Sequence, residues 1–227
     1  VISAAEEGDN ILDLCTGSGA IAISVYKELE KSRRKVTVTA SDVSAEALEL
    51  AKENAEANEA NINFIQSDLF ARIRGRYNII VSNPPYIPSK EIDALQREVR
   101  DFEPRSALDG GADGLDFYRR IALDATKYLA RGGMLIMEVG AGEAEDVVKL
   151  FKYCDYAMIL KDMQGVDRFV KIVVCPYENR NMLKRLDDIL KRYQYLSAQL
   201  ADPETIADMG AWQKYSKEQA DLKDAAE

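Results

Sequence analysis

Through residue 175 the chain alternates short apolar, β-rich runs with stretches of helical period, and this alternation restricts the fold more than any other feature. Strands that are apolar throughout need cover on both faces, and the helices that return the chain between them supply it, so the pattern predicts βαβ units and a mostly parallel sheet. Strands are expected near 10–15, 35–41, 61–66, 77–82, 133–139, 156–161 and 167–174. Helices are expected near 19–31, 44–58, 115–131 and 141–152, with Ser44 capping the second and Asp113 or Gly114 opening the third. The fold class is α/β, a doubly wound seven-stranded sheet. The link Asp162 to Val166 is too short for a crossover helix, so the last two strands should run antiparallel.

Composition narrows the function. The chain has 227 residues, room for one full α/β domain and an appendage but not for two catalytic domains. Its formal charge of −9 repels polyanions, and no local basic patch stands out, so a protein or small-molecule substrate is favoured over nucleic acid. Cys15, Cys154 and Cys175 are far apart and fit neither a disulfide framework nor a zinc site, which predicts thiols in a reducing cytoplasm. There is no histidine, so triads and histidine-dependent metal sites are excluded. No apolar run approaches the ~20 residues that span a bilayer, and no signal-peptide pattern opens the chain. The expected location is cytoplasmic. The first residue is Val1 and only nine residues precede the first strand, which suggests a fragment.

Beyond Pro176 the character changes. Leu183, Leu186, Leu190, Tyr193, Leu196 and Leu200 recur at helical spacing, Asp202-Pro203 marks a further helical start, and Trp212, Tyr215 and Leu222 continue a weaker stripe. The expected division is therefore 1–177 for the α/β domain and 178–227 for a helical hairpin. From Asn179 onward eight basic residues face nine acidic ones, so the acidity belongs to the α/β part. The stripe packs within the hairpin or on the domain, or else takes a partner helix.

Two loops carry the chemistry. The first strand, Ile11-Leu12-Asp13-Leu14-Cys15, runs into Thr16-Gly17-Ser18-Gly19 and then a helix. Glycines there let the backbone approach a ligand, and a helix N-terminus offers free N–H groups. With Ala22 the loop also fits G-x-G-x-x-A, so a dinucleotide stays open on the loop alone. Asp42, 23 residues after Gly19, suits ribose hydroxyls for either cofactor. Asp13, four residues before Gly17, opens a pattern like the D-x-G-x-G-x-G of S-adenosylmethionine enzymes, with Cys15 where that pattern has its first glycine. Its charge suits the ammonium and sulfonium region of that ligand. Asp68 ends the third strand and either accepts from an adenine amino group, with Leu69 or Phe70 against the ring, or caps the turn.

The second loop is Asn83-Pro84-Pro85-Tyr86, directly after the apolar run Tyr77 to Val81. A conjugated amide or exocyclic nitrogen is a poor nucleophile, and acceptors must hold its hydrogens and aim it. The Asn83 side-chain carbonyl and the Pro84 backbone carbonyl, with no N–H at Pro85, are two such acceptors, and Tyr86 can stack on the planar group. The loop resembles that of methyltransferases acting on a planar nitrogen. A long segment, Ile87 to Asp113, follows it and has the length of a lid or binding loop.

The chain from Asn10 to Val174 resembles the catalytic domain of the release-factor glutamine methyltransferases, the HemK or PrmC family. Two stretches carry the resemblance: Ile11 to Ala22, and Asn83-Pro84-Pro85-Tyr86-Ile87 continued by Phe102-Glu103-Pro104, Ala107-Leu108, Gly110-Gly111, Asp113-Gly114-Leu115 and Phe117-Tyr118-Arg119. Met137-Glu138-Val139-Gly140, and Asp162 with Gly165-Val166-Asp167-Arg168, complete it. The resemblance implies a class I methyltransferase sheet with its last strand antiparallel and S-adenosyl-L-methionine as cofactor. It implies methylation of the glutamine side-chain amide in the Gly-Gly-Gln motif of class I peptide chain release factors. Asp13, Cys15, Thr16, Gly17, Ser18, Gly19, Asp42, Asp68, Leu69 and Asn83 would then serve the cofactor, and Asn83, Pro84, Pro85 and Tyr86 the amide. Asn-Pro-Pro-Tyr alone also resembles amino-methyltransferases of adenine in DNA or guanine in ribosomal RNA, the first alternative. The second is an idle translation-factor module. Residues from about Leu183 to Asp221 resemble the N-terminal helical domain of a class I release factor, which suggests that pieces of two linked proteins are joined and that the tail reaches the ribosome or a release factor.

Overall fold

A computed structural model of the chain describes residues 1–151, 154, 156–173, 192–193, 195–202, 205 and 208–226. It divides into two compact units, Val1–Cys175 and Pro176–Glu227. In the first, β1 (Asn10–Leu14), β2 (Thr37–Asp42), β3 (Ile62–Gln66), β4 (Tyr77–Ser82), β5 (Leu129–Glu138), β6 (Tyr156–Lys161) and β7 (Asp167–Val173) form one sheet. Their order is β3-β2-β1-β4-β5-β7-β6. Strands β1 to β5 pair in parallel, and β7 is antiparallel to both β5 and β6. The reversal comes from a turn closed by Asp162: its N–H donates to the Val166 carbonyl at 2.9 Å, and its Oδ1 accepts from the Gln164 and Val166 N–H groups.

Alternation along the strands divides the core into two layers. Ile11 on β1, Val38 and Ala40 on β2 and Ile79 on β4 face helix α1 (Ala20–Lys31), through Ala22, Val25 and Leu29. Leu12, Leu14, Ile80, Leu135 and Met137 face the opposite way, into a cluster with Tyr118, Ile121 and Ala125 of a helix spanning Asp116–Tyr128 and with Val147 of one spanning Ala144–Leu150. Helix α2 (Ala45–Ala57) packs beside β2 and β3 and is capped as expected, with Ser44 Oγ accepting from the Ala47 N–H at 3.1 Å. Each buried aliphatic side chain contributes roughly 1.5–3 kcal/mol, so both layers are needed to offset the chain's lost entropy.

Three expectations change. The segment from Ile87 to Asp113 is built rather than open: it holds a 3₁₀ turn (Ile92–Ala94), α3 (Arg97–Arg100) and α4 (Arg105–Leu108), and a parallel bridge joins Ile87 to Asp109. The next helix, α5 (Asp116–Tyr128), has Leu115 as its N-cap, while Asp113 accepts from the Leu115 N–H at 3.2 Å. It ends at Tyr128 rather than near 131, because buried Leu129 already pairs with Tyr77 on β4. The register then shifts before Ile79 meets Met134, and Gly132 at φ 79° turns the added residues. Helix α6 (Ala144–Leu150) follows β5.

In the second unit residues 195–200 are helical and α7 covers Met209–Ala226. They are tied together by a two-pronged contact from Arg192 to Glu218 (2.7 and 2.9 Å) and by Gln219 Nε2 donating to Ser197 Oγ at 2.7 Å. Leu196 is fully buried. Leu183, Leu186, Leu190, Pro203, Cys175 and the Leu222 side chain lie outside what is described. Among the described residues no helix is long and apolar enough to cross a membrane.

Leu135, fully buried on central β5, is expected to cost ~2–5 kcal/mol when changed to Ala, whereas Leu123→Ala, at a site 75% exposed on α5, should stay within ~0.5 kcal/mol. Urea unfolding of both variants checks the layer assignment.

Candidate active site

The strand order reverses at β1, which has β2 on one side and β4 on the other. Loops leaving the carboxyl ends of β1 and β4 therefore rise on either side of the crevice where doubly wound sheets bind ligands. These loops are the two singled out from the sequence. They are tied at their base: Leu14 pairs with Ser82, whose Oγ donates to the Leu14 carbonyl at 2.7 Å.

The β1 loop is cradled from below and from the side. Asp13 is fully buried, and its Oδ2 accepts from Thr16 Oγ1 at 2.6 Å and from the Ala22 N–H at 3.1 Å, which joins the start of the loop to the first turn of α1. Its Oδ1 meets no donor among the described residues. Burial, partly opposed by these hydrogen bonds, pushes its carboxyl up to about 7. The expectation that Asp13 offers its charge to a cationic ligand thus gives way to a different placement: it braces the loop from inside. Asp42 does the same from β2, with Oδ2 accepting from the Gly17 N–H at 2.9 Å and Oδ1 from the Ser44 N–H at 2.9 Å.

The backbone of this loop departs from ordinary L-residue conformations at three positions. Gly17 and Gly19 have φ of 54° and 82°, and a Cβ on Gly19 would stand 3.1 Å from Ala51 Cβ on α2. Cys15 has φ 62°, a conformation that glycine adopts more easily, and enclosure pushes its thiol up to about 12. The Asn54 side chain donates to the Ser18 carbonyl at 2.9 Å, and Thr16 is buried. Neither the Ala20 nor the Ile21 N–H meets an acceptor among the described residues, so α1 opens onto the crevice with free donors.

On the β4 side Pro84 and Pro85 are buried while Asn83 is exposed, and its carboxamide has no hydrogen-bond partner among the described residues. Tyr86 is half-buried against the core. Burial raises its phenol, Glu138 and Glu143 add to the rise, and Arg168 opposes it, so the ring stays neutral. Two glycines let the chain close behind Tyr86. A Cβ on Gly110 would stand 2.7 Å from Tyr86 Cα, and one on Gly114, at φ 81°, would meet the Tyr86 carbonyl. Hydrogen bonds from the Ile87 N–H to the Leu108 carbonyl (3.0 Å) and from the Gly110 N–H to the Ile87 carbonyl (2.9 Å) hold this arrangement.

Asp68 stands apart from this pair of loops. It is half-exposed and pairs with Arg120 of α5 at 2.7 Å. Leu69 and Phe70 turn into the core, where Phe70 stacks on Tyr128 with ring centroids 4.6 Å apart, so neither presents its side chain to a ligand as expected. Sequence reasoning assigned no role to Tyr118, which is fully buried and donates to the Glu138 carbonyl at 2.7 Å, or to Glu143, whose Oε2 accepts from the Gly140 N–H at 3.2 Å. The Asp116–Arg119 pair was legible from its helical spacing; Arg120 with Asp68 was not, at a separation of 52 residues.

Comparison with known proteins gives this geometry a lineage. Residues 2–101 match the family model described as Methyltransferase small domain. The release factor glutamine methyltransferase of Geobacter sulfurreducens is 44% identical over 164 residues, which are 70% of this chain and 56% of that protein. Over the α/β unit the chain is therefore similar to release factor glutamine methyltransferases. The enzyme of that name from Lactococcus lactis is 42% identical over 177 residues, 76% of this chain and 64% of that protein, so the chain spans a little over half the length of such relatives. Among solved structures, the ribosomal protein L11 methylase of Lactobacillus delbrueckii subsp. bulgaricus has a TM-score of 0.53 at 20% identity, covering 75% of this chain and 71% of its own. A Thermus thermophilus 16S rRNA N2 G1207 methyltransferase, solved with AdoMet and guanosine, also scores 0.53 at 17% identity, covering 74% and 38%. At these identities the likeness is one of fold.

Gly110→Ala should destabilise the protein by ~2 kcal/mol or more, because backbone atoms of Tyr86 and Gly114 stand where the methyl would go; thermal melts measure it. Asp13 supplies a second expectation. Its folded value lies above the ordinary 3.8, so the stabilisation from taking up its proton is complete below pH 3.8 and lost as pH rises through about 7. Asp13→Asn should flatten the decline of unfolding free energy across that window by on the order of a few kcal/mol, read from urea melts of both proteins at a series of pH values.

Proposed function

We propose that this chain transfers a methyl group from S-adenosyl-L-methionine to the side-chain amide of the glutamine in the Gly-Gly-Gln motif of class I peptide chain release factors. The observation that carries the reading is the free Asn83 carboxamide on a rigid proline turn, set across the β1–β4 pairing from a glycine loop with open donors. The residues present suit the cofactor. At Gly17 and Gly19 the loop presents no side chain to a ligand, and the N–H groups of Ala20 and Ile21 can receive a carboxylate. Asp42, already braced against Gly17, is placed to meet ribose hydroxyls with its remaining lone pairs. Asp68 lies farther along the strand ends, beside the adenine in this reading.

When bound, S-adenosylmethionine supplies a methyl already activated by its sulfonium charge, so the protein's task is placement. The Asn83 side-chain carbonyl accepts one amide hydrogen of the substrate glutamine and the Pro84 carbonyl the other, which fixes the plane of the amide and turns its nitrogen along the line of transfer. Tyr86, neutral and held from behind by Gly110 and Gly114, covers the planar group and excludes water. The amide proton leaves to solvent afterward, and no imidazole is needed. In this reading residues 1–177 carry the chemistry. The hairpin from 178 onward takes no part in it and serves as a contact for the termination machinery.

Mass spectrometry of the Gly-Gly-Gln peptide from a release factor incubated with this chain and S-adenosylmethionine tests the reading; a gain of one methyl on the glutamine amide is expected. Asn83→Ala should leave cofactor affinity nearly intact and lower turnover by on the order of a hundredfold. Unchanged turnover in that variant would remove Asn83 from the mechanism, and methyl incorporation into DNA or RNA instead would move the substrate to a nucleobase.

A further inference from the structure

Ion pairing in the α/β unit is uneven. On the helices and in the segment after Tyr86, lysines and arginines meet carboxylates, as in Lys27–Glu30, Lys52–Glu49, Arg105–Asp109 and Lys149–Asp146. The side chains of Arg33, Arg34, Lys35, Arg74 and Arg76 form no ion pair with a carboxylate among the described residues. Arg34 donates to the carbonyls of Ile2 and Ala5, and Arg76 to that of Leu129, contacts that hold a guanidinium in place without cancelling its charge. These residues sit just before β2 and just before β4, at the amino-terminal edge of the sheet and opposite the end that carries Asn83. One strand separates β2 from β4, so the two runs begin about 10 Å apart and their fields add. Glu6, Glu7 and Asp9 precede β1 between the two runs, so these five cations face three carboxylates and the edge keeps a cationic balance in a chain of net charge −9.

The same edge holds a cleft of about 520 Å³, the size of a small-ligand site, lined by Tyr26, Arg33, Lys35, Val36, Asn61 and Asn63 among others. Two carboxylates stand beside it. Glu30 in its wall pairs with Lys27 at 2.8 Å, and Glu7 accepts from the Lys35 N–H at 2.7 Å. Two uncancelled cations, an aromatic ring, an apolar wall and two exposed amides in one cleft are the complement of a phosphate joined to a planar base.

We propose that this cleft is a nucleotide-binding site, with the phosphate between Arg33 and Lys35, the base against Tyr26 and Val36, and the amides of Asn61 and Asn63 at the polar edge of the base. The site lies at the wrong end of the sheet to present a base to Asn83, so it binds and does not methylate, and it stands whatever the methyl acceptor proves to be. The same chemistry is offered by a free mononucleotide and by a nucleotide within an RNA strand.

The test is fluorescence anisotropy of a short end-labelled single-stranded RNA titrated with the full chain, followed by competition with AMP. Saturable binding that weakens as salt rises is expected, falling at least about tenfold in the double variant Arg33→Glu, Lys35→Glu. The double variant Arg97→Glu, Arg100→Glu, with the same change of net charge in the segment near Asn83, should bind within about twofold of the wild type, as should Asn83→Ala. Tyr26→Phe, which keeps the ring, should also bind normally. Displacement by AMP identifies a free nucleotide as sufficient, and RNA binding that AMP cannot displace identifies the strand as the source. Absence of saturable binding by either probe, or equal loss in both charge-reversed variants, overturns the proposal.

Discussion

The pairing of β1 with β4 is the constraint on which the rest of the site depends. These strands are 63 or more residues apart in the chain, yet Leu14 lies against Ser82 and a buried hydroxyl-to-carbonyl bond of 2.7 Å locks their ends together. Because both run the same way, both loops emerge on one edge, and because the strand order reverses here, no crossover helix fills the space above them. A shift of one residue in this register would turn Leu12 and Leu14 out of the cluster that holds Leu135 and Met137. Core packing therefore sets the relative height of the glycine loop and the Asn83 turn.

Rigidity at the site comes from groups placed behind it. Asp13 and Asp42 hold the glycine loop through hydrogen bonds to Thr16, Gly17, Ala22 and Ser44, and Gly110 and Gly114 let the returning chain lie directly against the Tyr86 backbone. The cost is a buried carboxyl oxygen that meets no donor among the described residues, a penalty that the neutral form of Asp13 lessens. Groups facing the crevice, the Asn83 carboxamide and the N–H groups at the start of α1, have no partners among the described residues. This division between satisfied supports and open ligating groups is what a transfer reaction governed by orientation requires.

Charge is also segregated along the strand direction. Near Tyr86 the neighbours are Glu138 and Glu143, with Arg168 in opposition, whereas the other edge carries Arg33, Arg34, Lys35, Arg74 and Arg76, whose side chains form no ion pair among the described residues. A uniform reading of the net charge of −9 misses this, and so does the expectation that no local basic patch stands out. Three consecutive cations before β2 are visible in the sequence, but the second run before β4 joins them only when β1 is known to lie between the two strands.

Much of the fold was legible because it is encoded by local period. Apolar runs marked all seven strands, the five-residue link Asp162 to Val166 forced the antiparallel end, and Ser44 announced the start of α2. The two loops were legible too, since glycines at left-handed positions and prolines beside Asn83 act through their own backbone chemistry. What local signals misjudged were features decided by distant partners. Tyr77 drew Leu129 out of the helix, the core took Leu69 and Phe70 from the crevice, and Ile87 met Asp109 to turn a long segment into structure. By itself the sequence determined which elements form and which side chains can do chemistry; the tertiary structure alone decided which of those side chains face the crevice, because exposure depends on packing and pairing across the chain rather than on neighbours within it.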